Sequence, residues 1–267
     1  MCKRLLVSFV VLLLGLFTTG RAVATVEPLG WWPLNEGTGN VAHDISGNNH
    51  DGTIYNLQSC YLCSTWVNDP AERGMVLRFS GNDSMGAYVD AGMIIGPLTL
   101  DQDFTWAFWA LQFEDGGGIN ETMLGNRHGA SIDLNFAKFT PTNFEFYNQG
   151  NITGKIDYTD IPACEWLFHV VVKEGGEFDS SLTYYRFNLN GELIETEGSI
   201  TDTELVVLPL YMGGDAGGER WSGALSDVRI YDQALTLREV RAIVPEPATI
   251  ALLGLGGLSL LRIRRKR

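Results

Sequence analysis

Short runs in which hydrophobic and polar residues alternate recur along most of the chain, and clusters of Gly, Asn, Asp and Ser separate them. Alternation with a period of two is typical of β-strands with one buried face, and such clusters are typical of turns. Asn190-Gly191 lies between two of the runs and predicts a two-residue hairpin loop. We predict a short helix over Thr236–Ala242 and strands over Gly30–Leu34, Gly52–Tyr55, Met75–Phe79, Ala87–Asp90, Phe104–Leu111, Glu121–Gly125, Ser131–Phe136, Asn143–Tyr147, Trp166–Lys173, Tyr184–Leu189, Glu192–Thr196, Leu208–Gly213 and Ala224–Tyr231.

Many strands, little helix and no repeat period predict an all-β fold, a two-sheet antiparallel β-sandwich of the jelly-roll type. In the predicted strand Phe104–Leu111, Phe104, Trp106 and Phe108 alternate with smaller residues, so they are predicted to face the core while Trp109 faces the other side. His169 lies within an apolar strand and is interpreted as a buried residue of the sandwich.

The first 24 residues have a different pattern. Lys3 and Arg4 precede an apolar stretch over Leu5–Phe17, and Ala22-Val23-Ala24 forms a small-x-small cleavage site. A basic start, an apolar stretch and a small-residue site together predict a secretory signal peptide over residues 1–24. We therefore expect a signal helix that is removed after Ala24, and an exported protein.

The last residues form a second predicted targeting segment. Pro245, Glu246 and Pro247 precede the apolar run Ala248–Leu261 and a basic end. The run is shorter than the roughly 20 residues that a helix needs to cross a bilayer, and the positive-inside rule places the basic end in the cytoplasm.

This tail, residues 245–267, resembles the PEP-CTERM sorting signal of bacterial envelope proteins. The resemblance implies export, transient holding in the membrane by a C-terminal hydrophobic helix, and recognition near Pro245-Glu246-Pro247 by exosortase-type sorting machinery. We therefore expect the cell envelope, outer surface or extracellular matrix as the destination. An ordinary C-terminal anchor helix is the alternative.

Thr25–Val244 remains as one domain, with 11 Lys and Arg residues against 31 Asp and Glu residues. So acidic a surface repels phosphate backbones, which argues against nucleic-acid binding. Cys60, Cys63 and Cys164 would face an oxidising compartment, and we expect one structural disulfide and one free thiol with the pairing left open. No second cysteine pair completes a zinc site.

Several blocks within the domain occur in the order seen in one known family. The domain resembles LamG-like, concanavalin A-like jelly-roll domains through Trp31–Gly39, Asp44–Thr53, Phe104–Trp109, Trp166–Val172, Phe187–Gly191 and Trp221–Leu235. The resemblance implies the jelly-roll fold, with first and last strands side by side. Residues 56–74 depart from the family pattern and are predicted to form an elaborated loop that exposes Trp66.

Some relatives of this fold hydrolyse glycans with two carboxylates facing each other across a cleft. A closely spaced carboxylate run on a central strand is absent from the sequence; Glu145, flanked by aromatic residues, is a single candidate. The four histidines lie in unrelated segments and form no convincing Ser-His-Asp pattern. We therefore predict no catalytic residues and a protein that is not an enzyme, unless a second carboxylate lies near Glu145.

A structural calcium ion is the one cofactor that the residues suggest. The loop Asp44–Gly52 is rich in oxygen-bearing side chains, and calcium prefers six to eight oxygen ligands. If the first and last strands are adjacent, Glu36, Asp44 and Asp227 can approach one point. The alternative is that Asp44 and its neighbours only shape turns through their own hydrogen bonds.

Candidate ligand contacts are Trp66 and the polar segment Asn126, Arg127 and His128. The favoured function is a non-catalytic module that binds glycan, exopolysaccharide or another envelope component. Two alternatives stay open: a structural protein of the extracellular matrix without a specific small ligand, and a glycoside hydrolase of the concanavalin A-like fold.

Overall fold

A computed structural model describes residues 26–57, 65–69, 73–81, 86–93, 102–114, 118, 120–129, 135–175, 179–201 and 209–244. The predicted signal peptide, Cys60, Cys63, the Pro245-Glu246-Pro247 motif and the apolar run behind it lie outside these residues. Within the described part, no helix has the length and hydrophobicity that crossing a membrane requires.

The described chain is almost entirely β-structure. Its strands, in order, are β1 Gly30–Trp32, β2 Val41–Ala42, β3 Gly52–Tyr55, β4 Thr65–Asp69, β5 Gly74–Ser80, β6 Tyr88–Asp90, β7 Phe104–Gln112, β8 Leu124–Gly125, β9 Phe136–Phe139, β10 Asn143–Asn148, β11 Asn151–Asp157, β12 Trp166–Glu174, β13 Ser180–Phe187, β14 Leu193–Thr201, β15 Tyr211–Met212 and β16 Ser222–Tyr231, followed by helix α1 Leu237–Ile243.

These strands form two sheets, and every pairing between named strands is antiparallel. Sheet A has the order β14-β13-β12-β7-β16-β5-β4, with β1 also paired to β16, and sheet B has the order β11-β10-β9-β8-β15-β6-β3-β2. The predicted two-sheet sandwich is confirmed. The expected proximity of the first and last strands is confirmed as well, because Trp31 is opposite Arg229.

The main core fills the space between the sheets. Phe104, Trp106 and Phe108 lie in it, fully buried, whereas Trp109 belongs to a second cluster on the outer side of sheet A, as the alternation predicted. His169 is also completely buried, and its ring lies 5.3 Å from that of Phe108. Its interpretation as a residue of the sandwich interior is therefore confirmed.

Helix α1 belongs to the cluster that covers the outer face of sheet A. Thr236 caps the helix: its hydroxyl accepts a bond from the backbone N–H of Glu239, whose side chain accepts one in return from the Thr236 backbone. Val240 and Val244 are buried in the same cluster as Trp109. Helix α1 therefore packs against the outer face of sheet A.

The structure corrects three local predictions. Residues 65–69 form strand β4 at the edge of sheet A, where we expected a loop, because Thr65–Asp69 pairs with Gly74–Ser80. Strand β11 was missed, since Asn151–Asp157 is mostly polar and lies at the edge of sheet B. The strand that we expected to end at Phe136 continues to Phe139 as β9, and residues 131–134 of the expected range lie outside the described residues.

Candidate functional site

The outer face of sheet B carries aromatic side chains that the core does not use. Ile54 and Val89 point into the core, so strand alternation sends their neighbours Tyr55 and Tyr88 to the outer face. Tyr211 on β15 projects to the same side, beside β6. We call Tyr55, Tyr88 and Tyr211 the aromatic platform.

The rings of the aromatic platform contact one another in sequence. Tyr55 and Tyr88 stack with centroids 5.0 Å apart, and the centroids of Tyr88 and Tyr211 are 6.0 Å apart. The Arg220 guanidinium lies 4.0 Å from the Tyr88 ring centroid, and its Nε donates to the Gly86 carbonyl. Tyr55 keeps 44% of its surface exposed, which leaves a flat apolar surface available to a ligand.

Five charged side chains lie beside the platform on the same face of sheet B. Arg127 pairs with Asp215 and, at 3.3 Å, with Glu219. Lys138 lies 2.8 Å from the other oxygen of Glu219 and 3.8 Å from Glu145. We call these residues the charged network. Asp215 is fully buried and Lys138 almost so, which means that the network is built into the structure and not spread over solvent-exposed side chains.

Two loops meet to hold this network. A Cβ added at Gly129 would lie 2.3 Å from the Cα of Gly217, so the two glycines allow the backbones to touch. Asn126 fixes the first loop to β9, because its amide oxygen accepts from the backbone N–H of Ala137. The Asp215 carboxylate fixes the second loop by accepting from the N–H groups of residues 218 and 219.

The predicted ligand residues fall in two places. Arg127 and His128 lie at the outer face of sheet B, which we call the open face: Arg127 joins the charged network, and exposed His128 contacts the edge of Tyr211. Asn126 is fully buried. Trp66 lies on β4 of sheet A and is half-buried against the core, with its indole N–H donating to Gly39. The expectation that Trp66 is exposed in a loop is therefore wrong.

We predicted from the sequence that Glu145 has no second carboxylate near it, but the structure brings Glu219 close to it. Glu145 and Glu219 share Lys138, so their nearest oxygens cannot be farther apart than the sum of 3.8 and 2.8 Å. This upper bound overlaps the range of roughly 5–9.5 Å between the carboxyl groups of glycoside hydrolases, so distance alone does not exclude such a pair. However, Lys138 is the counter-ion of both groups, and Glu145 and Lys138 are buried, so the pair is arranged as an ion-pair network with little room for a sugar between the carboxylates.

The three residues of the expected calcium site have separate partners. Both oxygens of Asp44 are occupied by hydrogen bonds within its loop and from Trp31. Although partial burial opposes the shift, the backbone N–H groups of His50, Trp31 and Ser46 lower the pKa of Asp44 below its ordinary value. Asp44 thus shapes the turn as the alternative interpretation described.

Asp227 and Glu36, the other two residues of the expected calcium site, also have partners of their own. Asp227 binds the Arg229 guanidinium through both oxygens, at 2.9 and 2.8 Å, and accepts from the indole of Trp31 at 2.7 Å. Glu36 accepts from the backbone N–H of His43. Among the described residues, no three His, Cys, Asp or Glu side chains are gathered as a metal site requires. This arrangement does not fit a three-carboxylate calcium site, and calcium binding stays a prediction for experiment.

Comparison with family models finds two matches. Residues 82–241, more than half of the chain, match the concanavalin A-like lectin/glucanases superfamily. Residues 244–266 match the PEP-CTERM protein-sorting motif. Comparison with curated proteins finds no match.

Solved structures with the same fold include carbohydrate complexes. Domain 4 of AbnA, a GH43 extracellular arabinanase from Geobacillus stearothermophilus, in complex with arabinotriose, is 15% identical with a TM-score of 0.58; the match covers 83% of this chain and 100% of that one. The binding domain of botulinum neurotoxin DC in complex with SialylT is 12% identical with a TM-score of 0.52, and the match covers 82% of this chain and 51% of that one. A Trypanosoma rangeli sialidase mutant with trans-sialidase activity is 13% identical, with a TM-score of 0.52, over 80% of this chain and 32% of that one.

Proposed function

Because the chain belongs to the concanavalin A-like lectin/glucanases superfamily and ends in a PEP-CTERM sorting motif, we propose that it is a surface-sorted module that binds glycan without hydrolysing it. The motif indicates export and exosortase-mediated sorting to the cell surface. We further propose that the tail holds the protein in the membrane only transiently, and that its ligand is a polysaccharide of the envelope or the surrounding matrix.

The observation that carries this proposal is the difference between the two outer faces of the sandwich. The outer side of sheet A is filled by a hydrophobic cluster that includes α1, with Val240 and Val244 buried in it. On sheet B, Tyr55 is exposed and stacked on Tyr88. An exposed flat ring next to polar groups is the surface on which a sugar ring packs, because the aliphatic face of the sugar covers the ring while its hydroxyls find hydrogen-bond partners.

Hydrogen-bonding groups lie at the edge of the same surface. Burial raises the pKa of the Tyr88 hydroxyl, so that this group stays protonated and available as a donor at neutral pH. His128 is exposed beside Tyr211 and adds a further polar group. Binding of carbohydrate by structural relatives, such as the arabinotriose complex, is consistent with this proposal but concerns those proteins.

The absence of hydrolysis is part of the proposal and rests on the charged network. A retaining or inverting hydrolase keeps its two carboxyl groups on opposite sides of the scissile bond, with one of them able to give up a proton. Here Lys138 is bound between Glu145 and Glu219. The Lys138 ammonium in that position takes the place that the substrate would need.

The test is glycan binding by the exported full chain, purified in detergent and applied to an array of oligosaccharides. We expect Tyr55→Ala to reduce binding to the glycans captured by the wild type at least tenfold, which corresponds to about 1.4 kcal/mol. Tyr185→Ala is the matched control, because Tyr185 is a half-buried tyrosine packed against the cluster on the other sheet. Equal losses in both variants would place the site elsewhere, and no binding to any glycan would favour the structural matrix protein.

A further inference from the structure

We propose that the open face of sheet B selects uncharged glycans and discriminates against acidic ones. This inference rests on the proposed glycan-binding function and adds the chemical class of the ligand. A site for uronates, sialic acid or sulfated sugars normally presents an Arg or Lys that is free to pair with the anion. The described cations at this face are already paired or stacked.

Two of these cations belong to the charged network and have acidic partners. Arg127 is bound to Asp215 and Glu219. Lys138 contacts Glu219 and Glu145 through its ammonium and also donates to the carbonyl of Asn120. Three carboxylates thus surround two cations, so this part of the face carries no net positive charge to attract an anion.

The other two cations are also engaged. Lys155, on β11 next to Glu145, lies 2.7 Å from the carboxylate of Asp157. The Arg220 guanidinium is stacked on Tyr88 while its Nε donates to a backbone carbonyl. Arg220 is almost completely buried, so an incoming carboxylate would have to be desolvated to reach it.

Long-range electrostatics act in the same direction. The chain has a formal net charge of −13 at pH 7. Asp90 lies on β6 beside Tyr211, next to the platform, and accepts from the backbone N–H of Gly92. An acidic glycan would therefore meet repulsion on approach and, among the described residues, no uncommitted cation on arrival. A neutral glycan needs only the exposed ring of Tyr55 and hydrogen bonds.

Glu219 is the residue on which this selectivity should depend most strongly, because it is shared by Arg127 and Lys138. Glu219→Gln keeps the shape and hydrogen-bonding capacity of the side chain but removes the charge that both cations share. We expect this variant to bind acidic glycans about tenfold more tightly than the wild type does, and the ratio of acidic to neutral affinity to rise. Glu192→Gln is the control: it makes the same change of charge at an exposed residue of the β13–β14 turn.

The experiment measures binding of the full chain to matched pairs that differ in charge: galactotriose with trigalacturonate, and lactose with sialyllactose. Arabinotriose and xylotriose extend the neutral set. Assays are run at pH 8, where an ordinary imidazole is uncharged, and at low and high salt. We expect neutral members to bind at least tenfold more tightly than acidic ones, with an affinity that is nearly independent of salt.

Tighter binding of the acidic member of a pair, weakened by salt, would overturn the inference. If Tyr55→Ala abolishes that binding, the proposed function still stands. Binding that Tyr55→Ala does not reduce, or no binding to any probe, would instead overturn the proposed function. Melting curves show whether Glu219→Gln folds as the wild type does. If this variant has a folding defect, the comparison of matched pairs on the wild type alone tests the inference.

Discussion

Lowering the pH from 7 to 5 should destabilise the domain through His169, which lies between the two sheets. The imidazole is completely buried, it stacks on Phe108, and its Nδ1 lies 2.8 Å from the hydroxyl of Tyr184. Burial, with a further contribution from the charge of Arg186, lowers the pKa of His169 to about 3. The folded protein therefore keeps this ring neutral over a pH range in which the unfolded chain binds a proton.

The direction of the effect follows from linkage. Unfolded His169 takes up a proton below its ordinary pKa of 6.5, while the folded domain resists protonation down to about pH 3. The stability associated with the neutral ring is complete above pH 6.5 and is lost as the pH falls towards 3. The limiting slope is roughly 1.4 kcal/mol per pH unit, so the loss between pH 7 and pH 5 is about 2 kcal/mol.

Urea unfolding at pH 7, 6 and 5 measures this loss, with His169→Phe as the variant that cannot titrate. Phenylalanine retains the ring stacking, and the Tyr184 hydroxyl keeps Arg186 as a partner. We expect the free energy of unfolding of the wild type to fall by about 2 kcal/mol more than that of His169→Phe. His128→Phe, at an exposed position, should behave like the wild type. Parallel pH curves for the wild type and His169→Phe would refute the reasoning.

Three further predictions concern separate parts of the structure. Val240→Ala should cost about 2 kcal/mol in urea unfolding, because it removes two buried methyl groups from the cluster between α1 and sheet A and leaves a cavity; an unchanged midpoint would show that α1 is not docked. Gly129→Ala should cost roughly 1–3 kcal/mol and weaken glycan binding, because φ is +87° and a Cβ would lie 2.3 Å from the Gly217 backbone; wild-type melting and binding would contradict the loop contact. The calcium prediction requires a higher melting temperature in millimolar calcium than in chelator, with Asp227→Asn removing the difference; superimposable curves would end it.

The fold was accessible from the sequence because local and tertiary preferences agree in the central strands. Phe104, Trp106 and Phe108 alternate with smaller residues, and the same alternation decides which side of sheet A each ring occupies. Edge strands gave weaker signals. Residues of β11 need little hydrophobicity because one side of the strand has no neighbour in the sheet, and the alternation of Asn151–Asp157 is therefore blurred.

The candidate site could be predicted from the sequence only in part. Of the predicted polar loop, Arg127 and His128 lie at the open face, whereas Asn126 is fully buried. Glu219 was not identified, because it is brought to Glu145 by a pairing across more than 70 residues of sequence, through Lys138. Tyr55 was correctly placed in a strand, but which sheet face stays uncovered depends on where α1 packs, and no local pattern contains that information.

The most direct test of the central claim is hydroxyl-radical footprinting of the full chain with and without the most tightly bound neutral glycan of the array. This measurement reports the solvent exposure of individual aromatic side chains. We predict that the glycan protects Tyr55, which is 44% exposed in the free domain, and leaves Tyr185 on the opposite sheet unchanged. Protection of Tyr185 with unchanged labelling of Tyr55 would contradict the assignment of the open face of sheet B as the binding site.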